Sequence, residues 1–179
     1  MDSSEAGLLL DDFSDPDRAS IGSRWRFFSD RVMGGVSDGY AEHKLIEDRN
    51  ALRLRGTVSL ENNGGFIQAS LDLSAQGGTL DASGYLGIAL YLRGDGSDYG
   101  IHLRTTDIQR PWQSYRARIR SSANWIRYEL PFRDFAPHRI DRSLDPRKLR
   151  RLGLIAIEKP GAVDVAISDL RLYGHALIF

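Results

Sequence analysis

The chain has 179 residues, 41% of them hydrophobic and 27% charged, which is enough to build a sizeable core in one domain. Its 24 basic and 24 acidic side chains cancel, so no net field draws it to nucleic acid or to a membrane surface. With no cysteine, disulfides, thiolate metal sites, iron–sulfur clusters and a cysteine nucleophile are excluded.

The opening stretch, MDSSEAGLLLDDF, is acidic and fits neither a secretory signal nor an arginine-rich transit peptide. No apolar run approaches the roughly 18 residues that span a membrane, and the closing HALIF is too short for an anchor. The expectation is a cytoplasmic chain without a transmembrane segment, folded as a single domain over 1–179 with its core at about 13–173. A short turn is expected within 14–21, then a strand at Trp25–Phe28 and another from about Tyr40 to Leu45.

Period-2 alternation dominates the chain from residue 51 onward. Leu52, Leu54, Val58 and Leu60 share one face of a strand, as do Ile67, Ala69, Leu71 and Leu73 of the next. Leu86, Ile88, Leu90 and Leu92 face one way and Ala89 and Tyr91 the other, which predicts a central strand buried on both faces. Gly94-Asp95-Gly96-Ser97 signals a turn, and hairpin lengths predict sequential pairing across 86–120. Tyr99, Ile101 and Leu103 point inward with His102 and Arg104 outward. Tyr115, Ala117 and Ile119 oppose Arg116, Arg118 and Arg120. Ile126, Tyr128 and Leu130 are expected inward, with Pro131 ending that strand. Asp145-Pro146 predicts the start of one or two helical turns. Two more strands are predicted at RLGLIAIE and VDVAISDLRLYG, and apolar parity shifts between Ile167 and Leu170, which predicts a bulge near Ser168-Asp169. Many short strands with little helix predict an all-β sandwich.

Catalytic chemistry finds no footing in the sequence. The four histidines are scattered without metal-ligand spacing, and no nucleophile elbow, dinucleotide fingerprint, phosphate loop or EF-hand loop is present. Glu129 is expected in a salt bridge. No catalytic residue, metal or cofactor is assigned. Arg104, Arg116, Arg118 and Arg120, with His102, form one sheet face if 99–104 pairs with 113–120. That face reads either as a basic platform for an anionic ligand or acidic partner, or as a solvated surface paired with neighbouring acids. Trp112 reads as a stacking or anchoring side chain, or as an apolar lid over the sandwich end.

The stretch SDRVMGGVSDG (29–39) combines two adjacent glycines with flanking charges. No helical pattern comes after it, so an anion cradle at a helix N-terminus is set aside. A structural clasp and a partner-binding edge remain. Asp30 and Arg31 are expected to fix the loop by hydrogen bonds or a salt bridge, Val32 and Met33 to pack inward, and Gly34, Gly35 and Ser37 to lie at an edge of the sandwich.

Five pieces in order carry a resemblance. They are Trp25 followed by Asp30-Arg31-Val32-Met33-Gly34-Gly35-Val36-Ser37, then Gly56-Thr57-Val58-Ser59-Leu60-Glu61-Asn62-Asn63-Gly64-Gly65-Phe66. Next come Arg93-Gly94-Asp95-Gly96 with Tyr99, and Trp125 with Leu130-Pro131-Phe132 and Phe135. Leu152-Gly153-Leu154 with Ile167-Ser168-Asp169-Leu170 closes the series. Together they are similar to the complex I intermediate-associated protein 30 family from about Phe13 to Tyr173. The resemblance implies a jelly-roll β-sandwich of the galactose-binding-like type. It also implies a non-enzymatic protein-binding role, since in mitochondria the family assists assembly of respiratory complex I. A respiratory-complex intermediate, or another redox complex, is the protein partner it implies. Unlike mitochondrial members the chain shows no targeting sequence, and its short form resembles a free-standing bacterial member. The motif positions Asp30, Arg31, Met33, Gly34, Gly35, Ser37, Asn62, Asn63, Gly65, Asp95 and Tyr99 are the expected contact loops. The alternative is a carbohydrate-binding module using the sandwich face or loop edge, with Trp112, Tyr115 and Trp125 available for stacking. A third class, a small enzyme or sensor with its ligand inside the sandwich, has no motif behind it.

Overall fold

The computed structural model of the chain describes residues 7–175. The extreme ends, read above as lacking a leader and an anchor, lie outside the described residues. The strands are β1 (Leu8–Asp11), β2 (Trp25–Ser29), β3 (Asp38–Ile46), β4 (Arg49–Val58), β5 (Phe66–Asp72) and β6 (Gly87–Gly94). They continue with β7 (Asp98–Thr105), β8 (Ser114–Arg120), β9 (Ile126–Pro131), β10 (Ala136–His138), β11 (Leu149–Ile157) and β12 (Gly161–Tyr173). All pair antiparallel in two six-stranded sheets. The first runs β3-β4-β12-β6-β9, with β1 also paired to β12; the second runs β10-β8-β7-β11-β5-β2.

Alternation explains why these segments are strands and why they stack. Leu52, Leu54, Ile88, Leu90, Leu92, Val165 and Ile167 of the first sheet are buried against Ile67, Leu71, Ile101, Leu103, Tyr115, Leu152 and Leu154 of the second. The two inner faces thus form one core between the sheets. β6 is buried on both faces over Gly87–Leu90 and lies inside its sheet, as its sequence predicts.

The predicted bulge is present in β12. Its pairing with β6 slips between Ser168 and Arg171, and Asp169 has φ 47°. One extra residue there keeps Val165 and Ile167 on one side of the bulge and Leu170 and Leu172 on the other all facing the core. The Asp145 cap is also present: its carboxylate accepts from Arg147 N at 3.0 Å, but only a single 3₁₀ turn, Pro146–Lys148, comes after it. Glu129 pairs with Arg127 at 2.5 Å.

Three expectations are corrected. Sequential pairing holds for β7 with β8 but not for β6 with β7, which lie in different sheets. Both sides of β6 are already taken, by β12 and β9, so the Gly94–Ser97 turn has to cross the sandwich. Leu60 and Leu86 continue the parity of β4 and β6 but lie beyond the strand ends, and both are exposed. Ile126 is 40% exposed because β9 is an edge strand whose outer side has no neighbour. The short turn expected within 14–21 is present as hydrogen-bonded turns, Arg18 N donating to Asp15 O and Gly22 N to Ala19 O.

Candidate functional site

The connection from β2 to β3 passes from the second sheet to the first and carries the glycine pair. Asp30–Met33 forms one 3₁₀ turn, capped by the Ser29 hydroxyl, which accepts from Arg31 N at 3.2 Å. The Asp30 side chain turns inward and is fully buried. Its carboxylate accepts from Ser37 N at 3.0 Å, the Ser37 hydroxyl at 2.5 Å, Gly65 N at 2.5 Å and Phe66 N at 3.2 Å. One side chain thereby ties its own loop to the Glu61–Phe66 loop, 35 residues away in the chain. Burial pushes the Asp30 pKa up, but the donors from Ser37, Gly65 and Phe66 outweigh it and hold the carboxyl below its usual value.

The glycines are required by this carboxylate. A Cβ on Gly35 would sit 2.5 Å from the Asp30 carboxyl, and one on Gly64 would sit 2.5 Å from the other side of it. Gly34 has open space around it but a left-handed backbone at φ 87°, where it ends the 3₁₀ turn. Arg31 stays outside and donates from Nε to Ser37 O at 3.0 Å. Ser37 is fully buried and passes the tie on, with its hydroxyl accepting from Ser59 N at 2.9 Å.

Val32 and Met33 do not pack inward. They are 71% and 61% exposed. The inward position of the turn is taken by Asp30, and a turn this short leaves the three side chains after it, Arg31 to Met33, facing solvent. Leu60, beside Gly65 on the tied loop, is exposed as well. Asn62 and Asn63 of the same loop are exposed, each with φ 58°. The locked loops therefore present apolar side chains where the sequence predicted an inward-packed clasp.

Asp95 and Tyr99 form a separate lock on the inter-sheet turn. The Tyr99 hydroxyl donates to Asp95 at 2.9 Å and accepts from Asp164 N at 3.0 Å. Burial raises the Tyr99 pKa far above its ordinary value, so it stays protonated. A third lock joins the motif residue Trp25 to a position outside the motifs: buried Asp11 accepts from Trp25 Nε1 at 2.7 Å and Phe13 N at 2.9 Å. Its sequence signal is confined to an acidic pair after three leucines.

The outer face of the second sheet brings the predicted basic residues together. Register pairs His102 with Arg116, Gly100 with Arg118 and Asp98 with Arg120. A groove of about 470 Å³ runs over Gly100, with His102, Arg116 and Arg118 on one side and Ile155, Ile157 and Glu158 on the other. Arg120 is held by Asp98 at 3.1 Å and Arg116 stands 3.8 Å from Glu158, whereas Arg118 has no acidic partner among the described residues. Burial, with the charges of Arg116 and then His138 nearby, pushes His102 down to about 3, so its imidazole is neutral. Glu158 also links the groove to the loop end, since its N–H donates to Gly65 O at 2.8 Å. Arg104 donates to the carbonyls of Pro111 and Gln113 at 3.1 and 3.3 Å. Trp112 lies in that β7–β8 loop, 55% exposed, with the Arg110 guanidinium 5.9 Å from its ring. Tyr115 is buried in the core, and Trp125 donates to Ile46 O at 3.0 Å under Arg93. Among the described residues no cluster of His, Asp and Glu could hold a metal, and no helix is long and apolar enough to cross a membrane.

Two antiparallel sheets packed over one core make the fold a jelly-roll β-sandwich of the galactose-binding-like type. Residues 12–167 match the complex I intermediate-associated protein 30 (CIA30) family, and the chain belongs to that family. No curated protein matches. Among solved structures it is similar to the family 11 carbohydrate-binding module of the cellulosomal cellulase Lic26A-Cel5E of Clostridium thermocellum. The TM-score is 0.74 at 15% identity, covering 97% of each chain. A family 11 module from the same organism in complex with a β-1,3-1,4-mixed-linked tetrasaccharide gives 0.70 at 16% identity, over 94% of this chain and 95% of that one. A family 30 carbohydrate-binding module gives 0.64 at 16%, over 99% and 93%. At such identities the likeness is one of fold.

Proposed function

We propose that the chain is a non-enzymatic protein-binding domain that engages an intermediate in the assembly of respiratory complex I or a related redox complex. The contact edge is the loop end built on Asp30. The observation that carries this reading is the exposure of Val32 and Met33, 71% and 61%, on a turn whose backbone a buried carboxylate holds fixed. A rigid loop presenting apolar side chains associates with little ordering cost, which suits an anchor at a protein interface. CIA30 membership supports the choice of partner. Affinity purification of the tagged chain from its host tests it. Wild type is expected to recover subunits of an assembly intermediate, and Val32→Asp/Met33→Asp to lose them while remaining folded. Equal recovery by the two proteins contradicts the reading.

A second reading, carbohydrate binding, rests on the groove of about 470 Å³, whose apolar side at Ile155 and Ile157 faces the donors of His102, Arg116 and Arg118. The carbohydrate-binding modules of like fold support it. Titration calorimetry with the mixed-linked tetrasaccharide separates the two: saturable heat that Arg118→Ala abolishes favours sugar, and silence favours the protein interface.

A further inference from the structure

A second hollow, of about 240 Å³, lies on the same outer face at the opposite end from the clasp. Its walls come from β7, from the start of β11 and from the loop after β5 that carries Gly77 and Gly78. The sequence Leu149-Arg150-Arg151-Leu152 builds it. Both leucines are fully buried, so the two arginines between them cannot alternate. Pairing with β7 slips between Leu149 and Arg151, and this bulge turns both guanidinium groups outward into the hollow, opposite Arg104. Bulges re-aim side chains in this way.

Three arginines thus share one small space with a single acid, Asp72. That acid is already held by Arg151 at 2.9 Å and by Arg26 at 3.0 Å. Arg104 and Arg150 reach only backbone carbonyls: Arg104 those of Pro111 and Gln113, Arg150 that of Gly77 at 3.4 Å. Neither has a carboxylate partner among the described residues. Three guanidinium groups thus meet one carboxylate, which leaves an excess of positive charge, and the planar guanidinium fork is the side chain best matched to oxyanions.

The geometry points to a binding site for a doubly charged tetrahedral oxyanion, a phosphoryl or sulfate group, held among Arg104, Arg150 and Arg151 over the β11 bulge. The site is distinct from the Asp30 loop end and stands whether or not that end binds a protein. Burial together with the charges of Arg151 and Arg150 lowers the Arg104 pKa, in keeping with three cations facing one space.

The test is a chemical-shift titration of the full chain with inorganic phosphate and with sulfate at low ionic strength. A sugar phosphate and a sulfated monosaccharide are then titrated as carriers of each group. Saturable shifts are expected at the amides of Gly77, Gly78, Arg104 and Arg151. Arg150→Gln is expected to weaken binding at least tenfold. Because Arg104 also braces the β7–β8 loop, the exposed Arg150 is the primary variant. Arg133→Gln, which removes an exposed cation on the turn after β9, outside both the hollow and the groove, should leave affinity unchanged. Either order of affinity between the two carriers supports the site and identifies the group it prefers. Absence of saturable shifts, or equal weakening by Arg133→Gln and Arg150→Gln, overturns the proposal.

Discussion

Asp30 is buried beyond the reach of solvent, yet four donors meet its carboxylate. Replacing it with alanine removes the acceptor of two buried N–H groups and of the part-buried Phe66 N–H, and leaves the Ser37 hydroxyl only Ser59 O at 3.2 Å. A loss of about 3 kcal/mol is expected, measured by urea denaturation at neutral pH; a loss under about 1 kcal/mol would contradict the clasp. The pH dependence is set by the lowered pKa. Its stabilisation is fully present above the unfolded carboxylate value of about 3.9 and is lost as pH falls through the lower folded value. The stability gap between wild type and Asp30→Ala should therefore narrow as pH falls below the unfolded carboxylate value. Gly35→Ala, which drives a Cβ into that carboxyl, should cost about 2 kcal/mol. Gly34→Ala meets open space and loses only the left-handed backbone preference, about 1 kcal/mol. His102 behaves oppositely to a surface histidine. Pushed down to about 3, it stays neutral while its unfolded counterpart takes up a proton near pH 6.5, so acidification below that value weakens the fold. Its imidazole resonances should not titrate between pH 8 and pH 5, and His102→Gln should flatten the acid loss of stability over that range.

Elements differ in how far alternation alone exposes them. Interior strands such as β6 and β7 announce their buried faces through Ile88, Leu90, Ile101 and Leu103, because each is covered from both sides. The β12 bulge is legible too, since a parity break between Ile167 and Leu170 admits one extra residue. A β-branched side chain is strained at the positive φ of Asp169, so Asp169→Val should lower stability by about 1–2 kcal/mol in a thermal melt. Asp169→Asn should cost less. Partners distant in sequence are not legible. Nothing near Asp30 indicates that Gly65 and Phe66 will donate to it, and nothing near Asp11 indicates Trp25. The same blindness placed Val32 and Met33 inside: two apolar residues read as core until an aspartate is seen to occupy the inward position. Leu149-Arg150-Arg151-Leu152 was not legible in this way: the sequence predicts a strand only from Arg151, and the bulge shows itself once both leucines are found buried on one strand.

Across the whole molecule the two sheets form a rigid frame, and the crossing connections decide what it offers. Asp30 locks two of them together at one end and leaves Val32, Met33 and Leu60 facing outward. The groove begins beside that end at Glu158, and the arginine hollow closes the other end of the same outer face. The jelly-roll fold itself is shared with carbohydrate-binding modules, so function is carried by these surfaces rather than by the frame. The central claim is that the locked loop end contacts a protein. Site-specific photo-crosslinking in the native host tests it most directly, with the crosslinker placed at Met33 and, as a control on the far loop, at Trp112. The account predicts a crosslink from position 33 to a subunit of a complex I assembly intermediate and none to that subunit from position 112. Crosslinking to that subunit from position 112 alone, or no protein captured at position 33, would contradict it.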